Sequence, residues 1–439
     1  MPEPAPNRLT PEQRRGVMTV LLIIVIDLLG FGIVLPSLAY FVRLFETPDW
    51  AASLGNIVGL DRLRGGTLVG MVMTGYSLCQ FLFSPFWGRL SDRVGRRPVL
   101  AVSTAGFAVT WALFALSPTF TWLLVSRALA GAFGANLSTA QAYMADVFPP
   151  ERRAKGMGLI GMAFGIGFVF GPAIGALLTN DGFLSLLFQP GTGTFERAHL
   201  FVPAFFATGL STISFVLCLV ALRESLPPEA RAGLGPRKGK LAELAEALRQ
   251  PAIAPMLVVY FVVTLGFANL EAMFSQFNAD YLGIPADHNA WVFVAIGVTL
   301  AVVQGGLIGR LTRALGSAKV LAIGLVGLAA CMVLFGFQRE INPGLGDYGW
   351  LLVLSISLGG FNALCNPSLL AIISNRARRD MQGGTMGFTA SAATLGRIAG
   401  PLIGGLVYDA AGPQWPFAVG GVLIAVGLLV MLARWKSAN

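Results

Sequence analysis

Charge is what this chain is short of. Only 12% of its 439 residues are Asp, Glu, Lys or Arg, where a soluble domain carries about 25%. With a mean hydropathy of +0.70, it needs a bilayer as its solvent. Histidine is nearly missing too. His199 and His288 are the two present, and both fall between apolar runs, so neither a metal cage nor histidine-based acid–base chemistry is expected. Cys79, Cys218, Cys331 and Cys365 lie in apolar runs without C-x-x-C spacing, which points to unpaired, buried thiols rather than ligands or disulfides. There is no P-loop lysine motif, so nothing in this chain would draw on ATP. The opening "MPEPAPNRLTPEQRRG" is polar, and no small-residue cleavage site follows the first apolar run, so no cleaved leader is expected. These absences together argue against an enzyme and against any cofactor.

What is present is hydrophobic length. A helix needs about 20 apolar residues to cross the hydrocarbon core. Such runs lie near 17–44, 66–87, 98–116, 120–145, 157–179 and 200–222. After a polar stretch at 223–252, six more follow near 253–279, 289–309, 319–337, 349–373, 385–408 and 415–433. The pattern predicts an all-α membrane protein with twelve spans. The net charge of +9 then reads as topology rather than as nucleic-acid affinity, because Lys and Arg gather in cytoplasmic loops. With the N-terminus inside, cytoplasmic segments hold 24 Lys and Arg and outer segments hold 5. Both termini are therefore expected in the cytoplasm, and the setting expected is a bacterial inner membrane.

The two sets of six spans echo each other. "GRLSDRVGRR" from Gly88 has a weaker copy in "GRLTRALGSAK" from Gly309, an offset of 221. "MGLIGMAFGIGFVFGPAIGA" from Met157 matches "MGFTASAATLGRIAGPLIGG" from Met386 at 229, and "GAFGA" at 131–135 matches "GGFNA" at 359–363 at 228. Near-constant offsets mean two copies of one six-span unit. The expected organisation is a bundle at 1–222, a linker at 223–252 and a bundle at 253–439, with a substrate cavity near the midplane. Within the linker, "KLAELAEALRQ" at 240–250 fits a short amphipathic helix lying on a surface.

The segment joining spans 2 and 3 resembles the signature loop of the major facilitator superfamily, matched at Gly88, Leu90, Ser91, Asp92, Arg93, Gly95, Arg96 and Arg97. Span 5 carries Gly158, Gly167, Gly171, Pro172 and Gly175, which is similar to the antiporter motif of that superfamily's twelve-span drug:proton antiporters. It departs where Ala176 replaces a second glycine. Span 1, "IDLLGFGIVLPSLAYF", is similar to the first helix of the tetracycline-efflux group. The resemblance implies a monomeric secondary transporter that exchanges protons for a small amphipathic, drug-like compound by alternating access. It also implies a proton-coupling role for an arginine at the place of Arg127.

Charges inside spans stand out, because each costs roughly 2.5–3.5 kcal/mol at the bilayer centre unless it faces protein or water. They are Asp27 in span 1, Arg127 in span 4, Glu271 in span 7 and Arg397 in span 11. Asp27 reads either as a locally paired carboxylate or as a proton-loading or cation-recognising group. Glu271 has Phe267 at i−4 and Phe274 at i+3, an acid beside aromatics that suits an amphipathic substrate, especially a cationic one. Arg127 reads as a charge partner for Asp27 or as a snorkelling interfacial arginine. Arg397, with Phe168 at its repeat-related position, reads as an anion site or a partner for Glu271. Asn136, Gln141, Asn269, Gln276, Asn362 and Asn366 add polar handles, each able to serve a helix–helix hydrogen bond instead.

The glycines at 167, 171 and 175 share one helix face and let another helix approach closely. Span 11 repeats the spacing with Gly387, Gly396, Gly400, Pro401, Gly404 and Gly405. Asp92 is expected to act as an N-terminal cap or dipole partner for a helix of the other half, with span 11 the candidate, so that the arginine-rich segment closes the cytoplasmic side. A lipid or lysolipid flippase, a metabolite carrier and a receptor built on a transporter fold are the alternative readings.

Overall fold

The computed structural model describes residues 9–45, 64–149, 152–226, 253–376 and 382–435. All regular structure among them is helical. The described residues within Met1–Leu35 and Leu78–Pro236 form one compact unit, and those within Pro36–Ser77 and Arg237–Asn439 form another. The described residues of 36–77, which belong to the first repeat by sequence, group here with those of the second. The stretch at 240–250 and most of the expected linker lie outside the described residues.

The first unit contains α1 (Pro11–Val34), the last part of α3 (Gly65–Val94), α4 (Arg96–Ala115), α5 (Phe120–Ala132), α6 (Asn136–Val147), α7 (Arg153–Leu178), α8 (Asp181–Ser185) and α9 (Gly193–Val220). Local chemistry starts several of these helices. Thr10 and Gln13 form a reciprocal capping box at α1, and Thr119, Asn180 and Thr192 accept from main-chain amides at α5, α8 and α9. The second unit holds α2 (Leu38–Arg43), the start of α3, α10 (Ala254–Asp280), α11 (Ala286–Val302), a π-helical turn at Val303–Leu307, α12 (Ile308–Leu315), α13 (Ser317–Gly336), α14 (Gly346–Arg376), α15 (Gln382–Ala411) and α16 (Trp415–Trp435).

Eleven of these helical stretches are long and apolar enough to cross a membrane. The twelfth expected span, the fourth, is present as two short helices, α5 and α6, broken at Phe133–Ala135. The signature segment is not a loop either. Helix α3 runs on through Asp92 to Val94, and a single residue, Gly95 at φ 107°, turns the chain into α4. Its copy Gly316, at φ 80°, turns α12 into α13. A side chain at either place would be strained by that backbone, which is why both copies of the motif keep glycine there.

Within each unit one helix pair meets backbone to backbone. A Cβ on Gly171 of α7 would sit 2.7 Å from the Cα of Gly32, and one on Gly175 would sit 2.5 Å from the carbonyl oxygen of Ile33. In the second unit a Cβ on Gly400 of α15 would sit 2.7 Å from the carbonyl oxygen of Leu265, and Gly396 meets Phe261 and Leu265 in the same way. Gly158 and Gly387 have nothing within 4 Å, so they take no part in this contact.

Candidate functional site

Asp27 is the seventeenth of 33 residues in the first span, and the break in span 4 lies against it. The Asn136 side-chain amide, at the first position of α6, donates to Asp27 Oδ2. A helix beginning at mid-span presents the positive end of its dipole there, the arrangement by which discontinuous helices meet charged groups inside membranes. The polar groups freed by the break are partnered from α3 and α4. Trp87 Nε1 donates to the Ala132 carbonyl at 2.5 Å, Gln80 Nε2 to the Gly134 carbonyl at 3.5 Å, and Ser103 Oγ to the Phe133 carbonyl. Ser103 Oγ also accepts from the Ala135 amide at 3.3 Å. Asp27 Oδ1 and Asn136 Oδ1 are buried without a hydrogen-bond partner.

Asp27 and Arg127 form no ion pair in this structure. Arg127 is 6% exposed and lies over two rings, its guanidinium carbon 4.1 Å from the Trp111 centroid and 4.5 Å from that of Phe114. A desolvated cation–π contact is worth about 2 kcal/mol. Arg127 is thus buried against aromatic rings rather than extended towards the interface. Gln141 is exposed on α6, about 140° around the helix from Asn136, so it is not part of the Asp27 cluster.

In the second unit Tyr260, Thr264, Phe267 and Glu271 fall on one stripe of α10, an arc of about 60° at 100° per residue. The last three are partly exposed, whereas 272–278 are all buried. Tyr260 Oη donates to Asn366 Oδ1 of α14 at 2.7 Å, and Arg397 of α15 interacts electrostatically with both Tyr260 and Glu271. Asn362 lies one turn before Asn366 and is partly exposed.

Two expected members of this site are elsewhere. Phe274 is 1% exposed, stacked on Phe335 at 4.9 Å and edge-on to Phe293 at 5.1 Å in an aromatic core. It sits about 60° around α10 from Glu271, enough to turn it inward. Asn269 is 1% exposed, and its amide donates to the Pro416 carbonyl at 2.7 Å. It ties α10 to α16 instead of facing the stripe. Gln276 is buried as well, bonded to Asp280 at 2.5 Å.

The signature segment is organised around Arg96, whose side chain is 8% exposed. Arg96 pairs with Asp92 at 2.7 Å and with Asp146 of α6 at 3.0 Å, and it donates to Ser91 at 3.0 Å. Glu224 accepts from the main-chain amides of Arg96 and Arg97 at 2.8 and 3.2 Å, capping α4 from a distance. Arg97 donates to the Leu219 carbonyl at 2.6 Å, near the end of α9, where a cation complements the dipole. Gly88 has open space around it, and Arg89 and Arg93 are exposed.

At the other end of α3 a second carboxylate caps the helix. Asp409, near the end of α15, accepts from the amides of Arg64, Gly66 and Thr67 at 3.3, 3.1 and 2.8 Å and from the Thr67 hydroxyl at 2.5 Å. Near it, Asp280 pairs with Arg43 of α2 and accepts from Tyr408 at 2.8 Å. Asn289 donates to the Pro36 carbonyl at 2.8 Å, and Tyr40 donates to the Ile284 carbonyl at 2.6 Å. These bonds tie the described residues of 36–45 and 64–67 to the second repeat.

Sequence reasoning passed over Trp87, Ser103, Trp111, Tyr260, Asp146, Glu224, Asp280 and Asp409. The four acids end or follow predicted spans, where solvation is the default reading. Tyr260 and the tryptophans are common interfacial residues, so only their partners reveal a role.

The Major Facilitator Superfamily model matches residues 20–270 and 256–438. Human Major facilitator superfamily domain-containing protein 10 is 30% identical to this chain over 437 residues, covering 92% of this chain and 90% of the relative. Tetracycline resistance protein, class E, of Escherichia coli is 28% identical, covering 95% and 94%. The crystal structure of the human organic anion transporter MFSD10 (TETRAN) superposes with a TM-score of 0.66 at 26% identity, covering 96% of this chain and all of that one. With its membrane-length helices and its repeated Gly–Pro helix contact, the chain belongs to the major facilitator superfamily and is a multi-pass membrane transporter of small molecules.

Proposed function

We propose that the protein exports a small amphipathic organic compound, drug-like in the manner of tetracycline, in exchange for protons. The reading places it as a monomer in a bacterial inner membrane with both termini in the cytoplasm, its two repeats joined through 223–252. Asp27 is the proton site. The observation that supports this most is the pairing of Asp27 with Asn136 at the broken fourth span. A buried carboxylate with one oxygen unpartnered carries a large cost as an anion. A proton removes that charge, and an outward-pointing arrangement would let it exchange with water. Substrate binding then favours the ionised carboxylate, so proton and substrate move in opposite directions as the site alternates between the two sides.

Reconstitution tests this directly. In proteoliposomes an imposed pH gradient should drive substrate against its own gradient, and adding substrate should dissipate the pH gradient faster than in protein-free vesicles. Substrate movement that is the same with and without a pH gradient would contradict the reading.

A further inference from the structure

The four arginines of the signature segment divide by direction. Arg96 and Arg97 turn inward, to Asp92 and Asp146 and to the Leu219 carbonyl. Arg89 and Arg93, in the last two turns of α3, are exposed. Among the described residues they make no hydrogen bond and no ion pair. With Phe86 and Leu90 they line a cavity of about 290 Å³, and all four residues belong to the first unit. At 100° per residue the four fall within an arc of about 100°, and Leu82, one turn before Phe86, falls within it too.

This face is graded along its length. Leu82 and Phe86 are exposed apolar side chains, at 59% and 50%. Arg89 and Arg93 follow Phe86 at about 4.5 and 10.5 Å along the axis, at 1.5 Å per residue. Hydrocarbon followed by cations at the end of a membrane-length helix suits an amphiphile whose tail runs beside the helix and whose anionic head lies at the surface. The cavity is at the lower end of the roughly 300–1,000 Å³ of small-molecule sites, so it takes a headgroup and not a whole lipid. The carboxylates of this region are engaged elsewhere. Asp92, about 60° around α3 from Arg89, pairs with Arg96 at 2.7 Å. Asp146 pairs with Arg96 and accepts from Ser225 at 3.0 Å, and Glu224 accepts from the amides of Arg96 and Arg97. The second copy lacks the arrangement: Arg310 and Arg313 bond to the Gly306 and Gly309 carbonyls, and Ala314 stands where Arg93 would be repeated.

We propose that Arg89 and Arg93 form a binding site for the phosphate of an anionic phospholipid such as phosphatidylglycerol, with Phe86 and Leu82 against the start of its acyl chains. Each guanidinium can give two parallel N–H bonds, a fork that matches phosphate oxygens in a way a point charge does not. A zwitterionic lipid carries the same phosphate, but its ammonium adds a third cation beside the two guanidiniums. The site therefore prefers a headgroup of net negative charge. It involves neither the carried compound nor the proton, so it stands or falls apart from the transport reading.

Native mass spectrometry of the full chain in a neutral detergent tests the proposal by counting bound lipids as phosphatidylglycerol, or phosphatidylcholine with identical acyl chains, is titrated in. The wild type should bind its first phosphatidylglycerol more tightly than its first phosphatidylcholine by roughly fivefold. Replacing both arginines, Arg89→Gln with Arg93→Gln, should weaken the first phosphatidylglycerol by roughly 10- to 100-fold, the loss of charge-assisted hydrogen bonds, and erase the preference. Arg89→Lys with Arg93→Lys keeps the charge without the fork and should recover part of the affinity. Arg310→Gln with Arg313→Gln removes the same charge from the second copy and should leave the preference in place. Phe86→Glu sets a carboxylate one turn from Arg89; it should cause the same selective loss and serves if the double glutamine variant does not fold. A wild type without preference, or a preference that survives in folded Arg89→Gln with Arg93→Gln or in Phe86→Glu, would overturn the assignment. Equal loss in the Arg310 and Arg313 variant would reduce it to net charge. Glycerol phosphate binding as tightly as the lipid would reassign the cavity to a soluble anion and overturn the lipid site.

Discussion

In the first unit Gly171 rests on α1 at Leu29 and Gly32; in the second Gly400 rests on α10 at Leu265 and Ala268. Each glycine is followed by a proline, and the two are 229 residues apart in sequence. The chemistry beside these contacts is not repeated. The first unit holds a carboxyl group met by an amide and by the start of a half-helix. The second holds a guanidinium, an amide and a phenol, with its acid on the same stripe. What repeats is the geometry that lets two backbones touch. What differs is the charge beside them: a lone carboxyl group in the first unit, and a guanidinium with an acid on its stripe in the second.

The comparison can be broken most forcefully at the signature segments. Arg96 is buried between Asp92 and Asp146, whereas Arg310 and Arg313 of the second copy are exposed and, among the described residues, bond to the Gly306 and Gly309 carbonyls one turn back. Arg96→Ala should cost about 3 kcal/mol, the loss expected when one partner leaves a buried charge cluster. Arg310→Ala and Arg313→Ala should stay within about 0.5 kcal/mol. Denaturation in detergent would report both, and equal costs would mean that the copies are equivalent after all.

The glycines sharpen it next. Gly171→Ala and Gly400→Ala should each lose about 1–3 kcal/mol, because a methyl group would be forced into backbone atoms. Gly158→Ala and Gly387→Ala, with open space around them, should be neutral or gain about 0.5 kcal/mol from a less flexible unfolded chain. The smallest effect is at the far end of α3. Asp409→Ala removes a cap from that helix and should cost about 1 kcal/mol, seen as a lower unfolding temperature. The same loss from Asp409→Asn would contradict a cap, since Asn still accepts from main-chain amides.

The sequence made the class and span count readable because a bilayer leaves little freedom: helices must be long, apolar and internally bonded. It could not reveal that span 4 is broken. "GAFGA" and "GGFNA" look alike, yet the first interrupts a helix and the second lies within unbroken α14. The difference comes from Trp87, Gln80 and Ser103, which satisfy the groups that the break exposes. The grouping of the described residues of 36–77 with the second repeat was hidden for the same reason. It depends on Asp409, Asp280 and Asn289, more than 200 residues away. At the candidate site the four intramembrane charges were readable as exceptions to composition. Which neighbours face them was not: Asn136 does, while Asn269 and Phe274 turn into packed interfaces. Position along a helix fixes depth, but direction around it depends on the neighbouring helices.

The central claim is that Asp27 carries the exchanged proton, and the direct measurement is a paired assay on Asp27→Asn in proteoliposomes. Substrate counterflow needs the binding site and the conformational change but no net proton movement. Gradient-driven transport needs the proton as well. The account predicts that Asp27→Asn keeps counterflow and loses pH-driven accumulation to the level of protein-free vesicles. Accumulation retained alongside counterflow would contradict it.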